Sequence, residues 1–226
     1  MAKQMQRKPD WQRFQRVMTE REIKRLVHFT KFQSIVAIVG EGRILSREDL
    51  VKVDYEWREL LDPNCIGERA RRDDPGYLCT SIMHPSVDLL EVFRDKWYPD
   101  RKFCVVGIQP TYIYESQTVF SISNATYTSS KKFGINNRFE TFAAMFHDQL
   151  PGKSGTLQYR DPQLQAYFTT DPQAEVRIKS EIPYSDILFI ACRNKFEFDL
   201  LASAFEVLNL STEKLRVKPT LFEYRS

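Results

Sequence analysis

Two six-residue apolar runs, FCVVGI at 103–108 and ILFIAC at 187–192, constrain the fold of this chain more than any other feature. Runs of that length, the first closed by Pro110, are core strands. Neither approaches the roughly 18 to 20 apolar residues that cross a bilayer, so no membrane span is expected. Around them the periods are mixed. Phe32, Ile35, Val36 and Val39 fall at helical spacing from a possible N-cap at Thr30 to a stop at Gly40 and Gly42. Leu26 to Phe29, Tyr77 to Met83, Ala174 to Ile178 and Leu215 to Val217 read as strands. Stretches 87–94, 139–146 and 196–208 read as helices, as does a stripe through Trp57, Leu60 and Leu61. The form Thr19-x-x-Glu22 suggests a capping box and a short helix over about 20–25. Residues 114–138 and 151–162 lack periodicity and read as long loops, which in a compact domain are commonly functional. Without a regular βαβ rhythm, the fold class is α+β. At 226 residues, one domain is expected.

Charge and sulfur narrow the chemistry. Residues 1–27 carry eight Lys or Arg against three acids, although the whole chain is only +3. Such a segment, with Trp11 and Phe14, suits either a nucleic-acid track or a solvated helix docked on the body. The charged start has no apolar h-region, so it is not a signal peptide and a cytoplasmic protein is expected. The four cysteines and three histidines are scattered, which predicts reduced thiols, with Cys104 and Cys192 buried, and no metal site.

No Walker loop, GxGxxG, GxSxG, HExxH or kinase signature occurs. What remains is a set of polar residues at positions where a fold presents chemistry: His28 at a strand end, the arginines Arg69, Arg71 and Arg72, Asn124 in a long loop, and Glu175. The last enters its strand directly after the irregular segment Thr169-Thr170-Asp171-Pro172-Gln173-Ala174, where carboxylates are often presented for catalysis. Taken singly, a glutamate on the wet face of a strand and a half-buried histidine are both ordinary.

Taken in order, the pieces carry more. Leu26-Val27-His28-Phe29-Thr30 with its helix, the arginine-rich loop before Ser81-Ile82 and Pro85, Ser123-Asn124-Ala125, Phe139-Glu140 with Met145-Phe146, and Thr170-Asp171-Pro172-Gln173-Ala174-Glu175-Val176 with Ile182-Pro183 resemble the DarT family. Its members are bacterial toxins that transfer ADP-ribose from NAD to a base of single-stranded DNA. The resemblance covers about residues 22–192. It implies an ADP-ribosyltransferase-like mixed sheet with peripheral helices over 20–226, preceded by a basic extension at 1–19.

For the site, the resemblance implies Glu175 as the catalytic carboxylate and Arg72, with Arg71 as the neighbouring alternative, as the guanidinium on the NAD pyrophosphate. It implies His28 and Thr30 at the nicotinamide-side ribose and carboxamide, and Asn124 on a segment closing over the cofactor. The stretch from Ser154 to Asp171 corresponds to the acceptor-choosing loop, where Gln158, Tyr159 and Arg160 would meet an extruded base. Lys131 and Lys132 would meet phosphates. An antitoxin partner follows, either a macrodomain-type hydrolase or a binding protein. Met83-His84 departs from the family pattern, which has an aromatic before the proline. Neither the N-terminal extension of about 20 residues nor the 114–138 segment as a whole has a firm counterpart. RNA as acceptor, and a non-catalytic nucleic-acid-binding protein, are the competing readings.

Overall fold

The computed structural model describes residues 6–52, 74–153 and 155–225. Its centre is a seven-stranded mixed sheet, in keeping with the α+β class read from the patterning and the mixed sheet implied by the resemblance. In chain order the elements begin with α1 (Trp11–Glu20), β1 (Leu26–Lys31), α2 (Phe32–Glu41), β2 (Arg43–Ile44) and α3 (Arg47–Lys52). Next come β3 (Leu78–Ile82) and α4 (Val87–Glu91), which runs into a π-helical turn at Val92–Trp97, then β4 (Phe103–Ile108) and a 3-10 turn at Pro110–Tyr114. β5 (Val119–Ser121), α5 (Thr128–Phe133), α6 (Phe139–Ala144) and the hairpin β6 (Gln149–Pro151) and β7 (Leu157–Tyr159) follow. The chain closes with β8 (Glu175–Ile178), β9 (Ile182–Pro183), β10 (Ile187–Cys192), α7 (Lys195–Val207) and β11 (Leu215–Val217).

The sheet order is β11-β10-β4-β1-β3-β8-β5, antiparallel throughout except for β10 with β11. β4 explains its own sequence because both of its faces are covered, and β10 does so apart from Leu188, which is exposed where the register with β4 shifts. Cys104, Val106 and Ile108 join a core with Phe14 of α1, Ile35 of α2, Phe142 of α6 and Phe205 of α7. Phe103 and Val105 join Leu90, Phe93, Phe189 and Phe222 on the opposite face. A strand buried on both faces has no polar alternate positions. Burial pushes the Cys192 thiol up to about 12 and raises that of Cys104 as well.

Four local expectations are corrected. Thr19 and Glu22 do not open a helix; they end one. Ile23 N–H donates to Met18 O and Glu22 N–H to Thr19 O, with Glu22 left-handed at φ 56°, which is a Schellman closure of α1. The apolar Ile23 following that turn is buried and fixes it there. Thr30 does not cap α2 but continues β1, because β4 extends the ladder through Lys31↔Phe103. The 114–138 stretch contains β5 and α5, and 151–162 contains the second strand of a hairpin. These elements are too short for a period to show.

Candidate active site

β1 and β3 share only two residue pairs, Leu26↔Ile82 and Val27↔Ser81. Beyond them β1 follows β4, and β3 follows β8 through Leu78↔Ile178, Cys79↔Arg177 and Thr80↔Val176. The sheet is therefore two halves joined at a short ladder. His28 is the first residue past that junction, and its Nδ1 lies 2.9 Å from the Cys79 carbonyl oxygen. A carbonyl only accepts, so Nδ1 carries the proton. Burial lowers the pKa of the ring, and the bond to Cys79 opposes that shift. The imidazole is thus neutral at pH 7, and Nε2, which has no hydrogen-bond partner among the described residues, is an acceptor for a hydroxyl or amide donor.

This arrangement has a pH signature. Protonation converts Nε2 from acceptor to donor, and the depressed pKa puts the change below the ordinary value of about 6.5. We expect KM for the ligand bound at Nε2 to be flat near neutrality and to rise on acidification below about pH 6.5. His28→Gln should lack that limb. A limb above that range, or one unchanged in the variant, would contradict the assigned tautomer.

Glu175 opens β8 on the other side of β3. It pairs with Ser121 of β5, and one residue further along the β3–β8 register Ser81 comes opposite it. Val176 and Ile178 point into the core, so Glu175 and Arg177 share the other face. A one-residue slip would turn the two charges into the apolar core, which holds the register firmly. The two side chains are only 13% and 6% exposed, with Arg177 Nε 3.8 Å from Glu175 Oε2. The approach to the strand is also set. Asp171 Oδ1 accepts from Gln173 N–H at 2.7 Å, Asp171 O accepts from Ala174 N–H, and Tyr127 Oη donates to Gln173 Oε1 at 2.9 Å. A half-buried, register-locked carboxylate beside the junction can stabilise developing positive charge and accept a proton.

The remaining candidates are spread more widely. Arg71 and Arg72, with Arg69, Trp57, Leu60, Leu61 and Cys65, lie outside the described residues. Thr30 is half-buried on β1, opposite Cys104. The Asn124 side chain accepts from Thr126 N–H and Oγ1, at 3.0 and 2.6 Å, and shapes its own loop. Lys131 and Lys132 are exposed at the end of α5, which packs on β6. Gln158 and Tyr159 sit on β7. The Tyr159 ring is 63% exposed, while Gln158 Nε2 donates to Thr170 O at 3.4 Å. A cleft of about 480 Å³ is lined by Asp148, Gln149, Tyr159, Arg160, Asp161 and Pro162, and does not include Glu175. Arg160 is turned toward its own loop and donates to the carbonyls of Phe168 and Gln165, each at 2.8 Å.

Sequence reasoning did not single out Arg177, Arg21 or Arg225. Arg177 had a signal in its i+2 spacing from Glu175; the other two are brought to the loop only by tertiary packing. Of the paired aromatics near the N-terminus, Phe14 is fully buried and Trp11 is covered by the Arg7 guanidinium at 4.5 Å, so the segment is a docked helix. Among the described residues no helix is long and apolar enough to cross a membrane, and no group of three or more His, Cys, Asp or Glu could hold a metal ion.

The fold is shared with solved structures. Thermus sp. 2.9 DarT in complex with ADP-ribosylated ssDNA superposes with a TM-score of 0.57 at 11% identity, covering 89% of this chain and 97% of that one. The same protein in complex with NAD+ gives 0.56 at 11% identity, over 89% and 98%. Thermosipho africanus DarTG in complex with ADP-ribose gives 0.57 at 14% identity, over 88% of this chain and 51% of that chain. No curated protein sequence matches. Residues 27–223 match the family model for DarT, described as ssDNA thymidine ADP-ribosyltransferase. With most of its length inside that model and the same sheet beneath it, the chain belongs to the DarT family of single-stranded-DNA ADP-ribosyltransferases.

Proposed function

We propose that this chain splits NAD at the β1–β3 junction and transfers ADP-ribose to thymidine in single-stranded DNA, with Glu175 as its catalytic carboxylate. The observation that carries the reading is the placement of Glu175 and His28 on opposite sides of β3, at the point where the two half-sheets part. NAD supplies an electrophilic anomeric carbon and a neutral leaving group, nicotinamide. The chain's residues do the rest. The Glu175 carboxylate binds a ribose hydroxyl and offsets the positive charge that grows as the C–N bond lengthens, as carboxylates do in glycoside chemistry. It then takes the ring N–H proton of the base as the base nitrogen bonds to the anomeric carbon. His28 Nε2 accepts from the ribose, with Thr30 beside it on β1. Arg72 or Arg71 neutralises the pyrophosphate. Asn124 holds the covering loop.

On the acceptor side, Tyr159 stacks on a base, and Lys131 and Lys132 neutralise phosphates. A growth-arresting toxin, relieved by an antitoxin that reverses the modification or binds the enzyme, is the biological role that fits this chemistry. Nucleoside mass spectrometry after incubation with NAD and matched DNA and RNA oligonucleotides tests the reading. The expected product is ADP-ribosyl-thymidine from DNA alone. A modified ribonucleotide, a different base, or no adduct would each overturn part of it.

A further inference from the structure

The segment 161–174 leads from the hairpin to Glu175 and is irregular, so many of its carbonyls have no ladder or helix partner. Guanidinium groups from three parts of the chain satisfy them. Arg160 donates to Phe168 O and Gln165 O at 2.8 Å and to Leu164 O at 3.4 Å, and also reaches Thr170 Oγ1 at 3.4 Å. Arg21, just after α1, donates to Ala166 O at 2.9 Å, with its guanidinium 4.5 Å from the Phe146 ring centroid. Arg225, at the C-terminal end, donates to Thr169 O at 3.1 Å, with its guanidinium 5.3 Å from the Phe168 ring centroid. Arg21 and Arg225 both fall outside the residues matched by the family model.

We propose that Arg21 and Arg225, together with Arg160, are positioning residues that clamp the acceptor loop in the shape that presents a DNA base to Glu175. The inference rests on the reading of 161–174 as the acceptor side of the transferase. Three features support a clamp over a phosphate site. The donors are spent on carbonyls, and two of the three guanidiniums lie over aromatic rings of the loop or its support. The cations also crowd one another, with Arg160 disfavouring the charge on both Arg21 and Arg225, and burial brings Arg225 down to about 10. Asp148 and Asp171 supply the compensating negative charge. Such a cluster is worth keeping only if the loop it fixes must be rigid.

Arg21→Met and Arg225→Met keep the aliphatic stems over Phe146 and Phe168 while removing the donors. Without oligonucleotide, water takes the place of the base: its oxygen bonds to the anomeric carbon, nicotinamide leaves with the bonding pair, and a proton is released. This hydrolysis does not use the acceptor loop. We expect each variant to keep it within about twofold of the parent, and to transfer ADP-ribose to DNA about ten- to a hundredfold more slowly. Amide hydrogen exchange in 161–174 should speed up in parallel. Equal losses of hydrolysis and transfer, or unchanged exchange in the loop, would overturn the clamp. So would weaker oligonucleotide binding with a shallower salt dependence, which marks a phosphate contact. If the parent transfers nothing to DNA, the functional reading fails, while loop exchange still decides whether the arginines hold the segment.

Discussion

Replacing Glu175 with Gln should reduce ADP-ribose incorporation into single-stranded DNA by at least about 10²- to 10⁴-fold, the range set by losing one positioned general base. Loss of its charge beside the developing cation adds to that figure. Glutamine is the informative substitution. It keeps the shape and an acceptor oxygen toward the buried Arg177 guanidinium, a partner that Glu175→Ala would remove. It changes only charge and basicity. Oligonucleotide affinity should stay within about twofold, because the acceptor-side residues are untouched. Incorporation can be followed with labelled NAD and binding by anisotropy at fixed salt. Equal incorporation by variant and parent would remove Glu175 from the mechanism.

The second large effect is on stability. Phe14 is fully buried between Phe120, Phe139 and Phe142, with ring centroids 5.7, 5.3 and 5.3 Å away, the Phe139 contact being edge-on at 88°. Phe14→Ala should cost about 3–5 kcal/mol and lower Tm by roughly 10 °C, read by thermal or urea unfolding. A helix that merely decorates the surface would give less than about 1 kcal/mol on the same substitution. Because α1 carries Arg21 to the acceptor loop, Phe14→Ala should also impair transfer at temperatures where the rest of the sheet remains folded. The N-terminal helix is then part of the folded body rather than a free arm, and Arg21 just beyond it is spent on the loop.

How far the sequence speaks differs from element to element. β4 and β10 were legible to the residue, because a strand covered on both faces admits no polar positions and therefore announces its ends. α2 was legible from its stripe and from Gly42, which ends it left-handed at φ 71°. α1 was legible as one of two alternatives, a helix docked through Trp11 and Phe14, but its arginines equally suited a nucleic-acid track. β5 and α5 were obscured by brevity. β5 is a strand because β8 pairs with it, not because of its own three residues.

The site divides in the same way. Residue type and local order marked Glu175 at the entrance of β8, and the surrounding residues resemble those of a known family; His28, expected at a strand end, stands third in β1, which runs on to Lys31 because β4 pairs with it that far. The sequence itself determined which side chains are able to do acid–base chemistry and which strands hold them, because those properties follow from residue type and from neighbours along the chain. Only the tertiary structure decided that β1 and β3 part after two residues, that His28 spends Nδ1 on Cys79, and that arginines 21, 160 and 225 meet on one loop. Those facts depend on long-range pairing and on the satisfaction of buried carbonyls; apart from Arg160, whose carbonyl partners lie 4 to 8 residues away, the bonded partners are 51 to 145 residues apart, beyond the reach of any local pattern.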